Sequence, residues 1–240
     1  MTDRKEKRLF PAWRAVMLAM VAGVFAGAVG VYVTGGFSGN NAASTRPGGT
    51  LAGATPDQSQ NPIAADDTCP AKADHAKTLA DAAVGQVAAM LPADPPQSLK
   101  TLAFHDPAGK PMTLADRADK TILLNLWATW CAPCRAEMPS LDALQKEKGN
   151  DRFEVIAVNV DTGDDTKPKK FLEETKVGAL GYYRDNTLDL FNDLKKRGLA
   201  LGLPVTLLID GEGCLLAHMN GPAEWASDDA KHLIEAAIAD

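Results

Sequence analysis

Two cysteines three positions apart, in the run Trp130-Cys131-Ala132-Pro133-Cys134, are the residues best suited to chemistry. A lone C-x-x-C is ambiguous, since it can be half of a zinc site. Here it follows the short apolar run Thr121–Trp127 (TILLNLW) and opens a helical stretch, about Pro133 to Lys148. A strand–turn–helix context places Cys131 at a helix N-terminus, where unpaired backbone N–H groups and the helix dipole favour an anion. A thiolate is such an anion, so Cys131 is expected to be the more acidic thiol and the nucleophile. Cys134 lies one turn deeper and is expected to resolve a mixed disulfide.

The elements that must position this pair can be read from the pattern around it. Thr68-Cys69-Pro70 reads as a helix start, and the Ala-rich segment Ala71 to Leu91, with Leu79, Val84, Val87 and Leu91 as apolar contacts, reads as a helix ended by Pro92, Pro95 and Pro96. Leu102 to Leu114 holds two short strands around the turn Asp106-Pro107-Ala108-Gly109. Thr121–Trp127 and Phe153–Val160 read as buried strands. Lys167–Lys176 and Asn186–Lys196 read as helices, Pro204–Ile209 and Cys214–Met219 as a hairpin turning at Asp210-Gly211-Glu212-Gly213, and Ala223–Ala239 as a closing amphipathic helix. Strands alternating with helices and ending in a hairpin imply an α/β fold around a mixed sheet.

The first 65 residues are of another kind. Residues 1–14 form a basic flank with Arg4, Lys5, Lys7, Arg8 and Arg14, and Ala15 to Val33 contains no charge. An uncharged run near the roughly 20 residues that span hydrocarbon suggests a transmembrane anchor over 15–34. The basic flank would hold its N-terminal side in the cytoplasm. The competing reading is a cleaved signal peptide with Ala26-Gly27-Ala28 as its site. Residues 35–65, rich in Gly, Ala, Ser, Thr, Asn and Pro, read as a flexible linker, leaving 66–240 as the folded domain. The net charge is −6, and basic residues cluster only at the N-terminus, so nucleic acid is not an expected partner. His75, His105, His218 and His232 stand in no ligand spacing and read as surface residues, so neither a metal site nor a cofactor is expected.

The run LWATWCAPCRAEMPSL resembles the thioredoxin superfamily, and within it the TlpA branch of membrane-anchored, periplasm-facing thioredoxins. Gly202-Leu203-Pro204-Val205-Thr206 resembles that family's cis-proline segment, and GCLLAHMNGPAEWAS its ending. The resemblance covers residues 66–240 and implies a thioredoxin fold: a central mixed sheet flanked by helices. About seventy residues separate Cys134 from Pro204. That is longer than in thioredoxin and implies an insertion around Asp161 to Tyr183, as TlpA-like proteins carry. Thioredoxin has a buried Asp on the strand before the motif, where this chain has Asn125, which cannot titrate. TlpA-like proteins instead share an acidic residue three positions after the second cysteine, here Glu137. That spacing puts Glu137 on the side of the helix that carries Cys134. A buried carboxylate there could take and return the Cys134 proton.

By the same resemblance Pro204 belongs to the catalytic set with Cys131, Cys134 and Glu137, and Trp130 and Leu203 to the substrate-docking surface. Trp127 reads as core, and Pro139 as a kink in the active-site helix. Cys69 and Cys214 could be a structural disulfide, two free thiols or a second redox pair; TlpA carries cysteines in similar places, which implies the structural disulfide. The implied function is reduction of specific periplasmic protein disulfides in maturation of cytochrome oxidase, whose copper-handling proteins are the implied substrates, or of cytochrome c. A membrane electron donor of the CcdA or DsbD type and attachment to the inner membrane follow from it. Two other readings compete. A Sco-type copper chaperone shares the fold but uses C-x-x-x-C with a distant histidine, and a disulfide-forming oxidase shares the motif.

Overall fold

The structure, a computed structural model, describes residues 68–239, which belong to one compact unit. The proposed basic flank, anchor and linker lie outside these residues. Among the described residues no helix is long and apolar enough to cross a membrane.

One eight-stranded sheet organises the described residues. Its strands are β1 (Leu91–Pro92), β2 (Ala103–His105), β3 (Pro111–Thr113), β4 (Thr121–Trp127), β5 (Phe153–Asn159), β6 (Tyr183–Arg184), β7 (Val205–Ile209) and β8 (Leu215–Asn220). They stand in the order β1-β8-β7-β4-β5-β6-β2-β3. The central β4 runs parallel to β5 and antiparallel to β7. All seven of its residues are buried, which is why its sequence is apolar except for Thr121 and Asn125. The hairpin β7–β8 and the parallel pairs β4–β5–β6 make the sheet mixed.

The helices are α1 (Ala73–Ala82), α2 (Ala132–Lys148), α3 (Thr166–Glu174), α4 (Asp189–Lys196) and α5 (Asp228–Ile238). On α2 the buried positions Cys134, Glu137, Met138, Leu141 and Leu144 recur at three- and four-residue spacing, so one stripe faces the core. Ion pairs Lys148–Glu235 at 2.6 Å and Lys231–Glu147 at 2.8 Å join α2 to α5. The helix runs on through Pro139. Helix α3 lies within the stretch Asp161 to Tyr183 where an insertion is expected, and strand β6 lies at its end. The Asp142 carboxylate on α2 accepts the backbone N–H groups of Gly178 and Ala179 at 2.9 and 2.6 Å, pinning the inserted loop to the active-site helix.

Three expectations need correction. The helix expected over Ala71 to Leu91 ends at Ala82, because Gly85 takes a positive φ of 53° and a 3₁₀ turn follows; Val84 and Leu91 are exposed rather than packed. The closing helix starts at Asp228, not Ala223, because Ser227 caps it by accepting the Ala230 N–H, which leaves residues 221–226 as a loop. Finally, His75, His105 and His218 are half-buried, and only His232 lies open to solvent. His218 sits on β8 beside Leu207 and Leu91, and burial lowers its pKa.

Candidate active site

Cys131 is the N-cap residue of α2, and its Sγ accepts the Cys134 N–H at 3.3 Å. Pro133 sits in the first turn and offers no N–H. The Cys131 N–H donates to the Ala128 carbonyl at 3.1 Å, closing the turn that delivers the motif from β4. The two cysteines are disulfide-bonded to each other, with Cα atoms 5.3 Å apart. Cys131 keeps 6% of its surface and Cys134 none, so Cys131 is the one a partner can reach. Trp130 beside it is 68% exposed.

Glu137 lies on the buried stripe of α2, 3% exposed, in a cage of donors. Its Oε1 accepts Asn125 Nδ2 at 2.9 Å; its Oε2 accepts Trp225 Nε1 at 3.0 Å and the Ala223 N–H at 3.1 Å. Burial pushes the carboxyl up to about 7, and those three hydrogen bonds keep it from rising further. Asn125 also donates to Thr206 Oγ1 at 2.9 Å, directly across the β4–β7 pair. Thr206 stands two residues after Pro204, whose bond from Leu203 is cis. One polar chain therefore links the Pro204 strand, the strand before the motif, the active-site helix and the loop before α5. Leu203 is half-buried beside Pro204, and Leu201 nearby is 82% exposed.

Cys69 and Cys214 are joined by the other disulfide, both almost wholly buried, tying the start of the domain to the residue that enters β8, across 145 positions. Neither is near the C-x-x-C in sequence.

Sequence reasoning placed Cys131, Cys134 and Glu137 on one helix, but it missed Trp225, Ala223 and Thr206 as the surroundings of Glu137. Asn125 carried a usable signal, because an amide inside a seven-residue buried strand must find partners. Trp225 carried none.

A family model described as Redoxin matches residues 97–234, more than half of the chain. The chain belongs to the Redoxin family. Among its relatives, the thioredoxin-like protein YneN of Bacillus subtilis (strain 168) is 36% identical over 126 residues, which cover 50% of this chain and 65% of that protein. The thiol:disulfide interchange protein HelX of Rhodobacter capsulatus is 37% identical over 122 residues, covering 48% of this chain and 61% of HelX. The thiol-disulfide oxidoreductase ResA of Bacillus thuringiensis subsp. konkukian is 32% identical over 119 residues, covering 48% of this chain and 64% of ResA. The chain thus spans less than two thirds of each relative. A crystal structure of a thioredoxin-family thiol:disulfide interchange protein from Chlorobium tepidum TLS superposes with a TM-score of 0.50 at 23% identity, over 61% of this chain and 99% of that one. That likeness supports a thioredoxin-like α/β fold.

Proposed function

We propose that the protein is a thiol:disulfide oxidoreductase working as a reductase of protein disulfides. The observation that carries this is a helix-capping Cys131 paired with a buried Cys134 one turn ahead of Glu137, whose carboxyl is raised to about 7. In the reduced protein the Cys131 thiolate attacks one sulfur of a substrate disulfide. That S–S bond breaks, the other sulfur leaves as a thiolate and takes a proton, and Cys131 is joined to the sulfur it attacked. The Cys134 thiol then loses its proton to the Glu137 carboxylate and attacks Cys131 Sγ. The second substrate thiol departs and the Cys131–Cys134 disulfide forms. Two electrons have passed to the substrate, and a dithiol donor must restore them. A carboxyl near 7 is half ionised at neutral pH, which suits it to accept that proton and return it on the reverse pass.

The reductase direction is supported by the few donors at Cys131 Sγ. A strong oxidant stabilises its reduced thiolate; here Pro133 removes one N–H and Ala132 brings no charge. The names of HelX and ResA support disulfide chemistry. The resemblance to TlpA supports substrates among copper-handling or cytochrome-maturation proteins, a donor of the CcdA or DsbD type, and a catalytic domain in the periplasm. The uncharged run Ala15 to Val33 supports an anchor over 15–34.

Equilibration of the protein with glutathione buffers tests the reading. A reductase should show a midpoint near the roughly −270 mV of thioredoxin. A midpoint near the roughly −120 mV of a strong oxidant would reverse the direction. Absence of exchange at Cys131–Cys134 would remove the oxidoreductase reading itself.

A further inference from the structure

The turn that carries Cys131 is held from the inserted side of the sheet. Thr129, two residues before Cys131, gives both its donors to one carboxylate: its N–H to Asp161 Oδ2 and its hydroxyl to Asp161 Oδ1, each at 2.9 Å. Asp161 is 8% exposed and is itself fixed, its Oδ2 accepting Asn159 Nδ2 at 2.7 Å. Its backbone is braced in turn. Arg184, on strand β6 at the end of the expected insertion, donates through its guanidinium to the carbonyls of Asp161 and Gly163. A cleft of about 330 Å³ opens here beside the exposed Trp130, lined by Thr129, Asp161, Asp164, Lys167 and Pro168.

We propose that Asp161 is a positioning residue of the redox centre: it holds the Ala128–Cys131 turn through Thr129, and its charge biases the Cys131–Cys134 pair toward the disulfide. The inference rests on reading Cys131–Cys134 as the redox pair. Two physical effects carry it. Both hydrogen bonds come from a residue inside the closed Ala128–Cys131 turn, so Asp161 fixes the backbone that presents Cys131. A carboxylate bonded two residues from Cys131 also opposes a second negative charge on the Cys131 thiolate, which makes the reduced form easier to oxidise. The other charged side chains lining this cleft are Asp164 and Lys167. Asp161 alone among them is bonded to the turn. The insertion thereby acquires a role at the redox centre, because Arg184 sets the loop that sets Asp161.

The test is the thiol–disulfide equilibrium of the intact protein against glutathione, for four forms. Asp161→Asn removes the charge and should move the equilibrium toward the dithiol by roughly fivefold, the size of one charge acting across a polar cleft. Thr129→Val leaves the carboxylate in place without its hydroxyl partner and should move the equilibrium the other way, by about twofold. Thr129→Ser keeps the hydroxyl and should match the wild type. Equal equilibria in all forms, or shifts of one sign in both Asp161→Asn and Thr129→Val, would overturn the proposal. If Asp161→Asn does not fold, an unshifted Thr129→Val overturns it alone. A wild-type protein that fails to exchange with glutathione would instead strike the underlying assignment of the redox pair.

Discussion

Trp225 donates its indole N–H to the Glu137 carboxylate at 3.0 Å, across 88 positions of sequence. With the Ala223 N–H on the same oxygen and Asn125 on the other, the carboxylate is met by donors on both sides. Trp225→Phe keeps the ring and removes the N–H. Losing a bond that favours the charged form should raise the Glu137 pKa above about 7 and move the pH dependence of disulfide resolution upward with it. The lost buried bond should also destabilise the fold by about 1–3 kcal/mol. Urea unfolding and a pH–rate profile on the same variant measure both.

Glu137 should also leave a mark on stability. Its folded pKa is raised from 4.5 to about 7, so between those values the folded protein holds a proton that the unfolded chain has released. Stability is therefore fully present below about 4.5 and falls as pH rises toward 7, by up to about 3 kcal/mol at roughly 1.4 kcal/mol per unit. Glu137→Gln should flatten this slope. It should also lower the baseline, because its amide would turn a donor toward the N–H groups that now meet a carboxylate oxygen. Urea titrations from pH 4.5 to 8 separate the two effects; an unchanged slope would contradict the account.

The two thiols of the reduced protein should react unequally. Cys131 caps the helix and keeps some exposure, whereas Cys134 is fully enclosed. Iodoacetamide should modify Cys131 much faster, and Cys134→Ser should hold substrates as stable mixed disulfides through Cys131. Equal rates would remove the division of roles.

The buried Cys69–Cys214 bond should outlast the active-site one. Mild dithiothreitol should open Cys131–Cys134 while peptide mapping still recovers Cys69 joined to Cys214. Replacing both with Ala should lower stability by up to about 5 kcal/mol, the chain-entropy value for a loop of this length.

The motif, its strand and its helix were legible because each obeys a local rule: an apolar run for β4, a cysteine and a proline opening α2, and a spacing of three that puts Glu137 on the stripe with Cys134. What encloses Glu137 was not, because Trp225 and Thr206 reach it only through the β4–β7 pairing and the docking of the loop before α5, and neither leaves a periodic trace. Gly85 could have ended the first helix on paper, but an Ala-rich stretch on either side masked it. Asp161 hid in the same way, as one acidic residue after a strand, until Thr129 was seen to turn both its donors to it.

The most direct test of the account is the rate at which Cys134 resolves a mixed disulfide on Cys131, followed by stopped flow across pH. In the wild type the rate should rise with the ionisation of a group near 7. In Glu137→Gln that ionisation should vanish and the rate should fall, toward the lower end of the roughly 10²–10⁴-fold range of acid–base catalysis, since water can partly substitute. Superimposable profiles for the two proteins would contradict the account and leave Glu137 a buried structural residue.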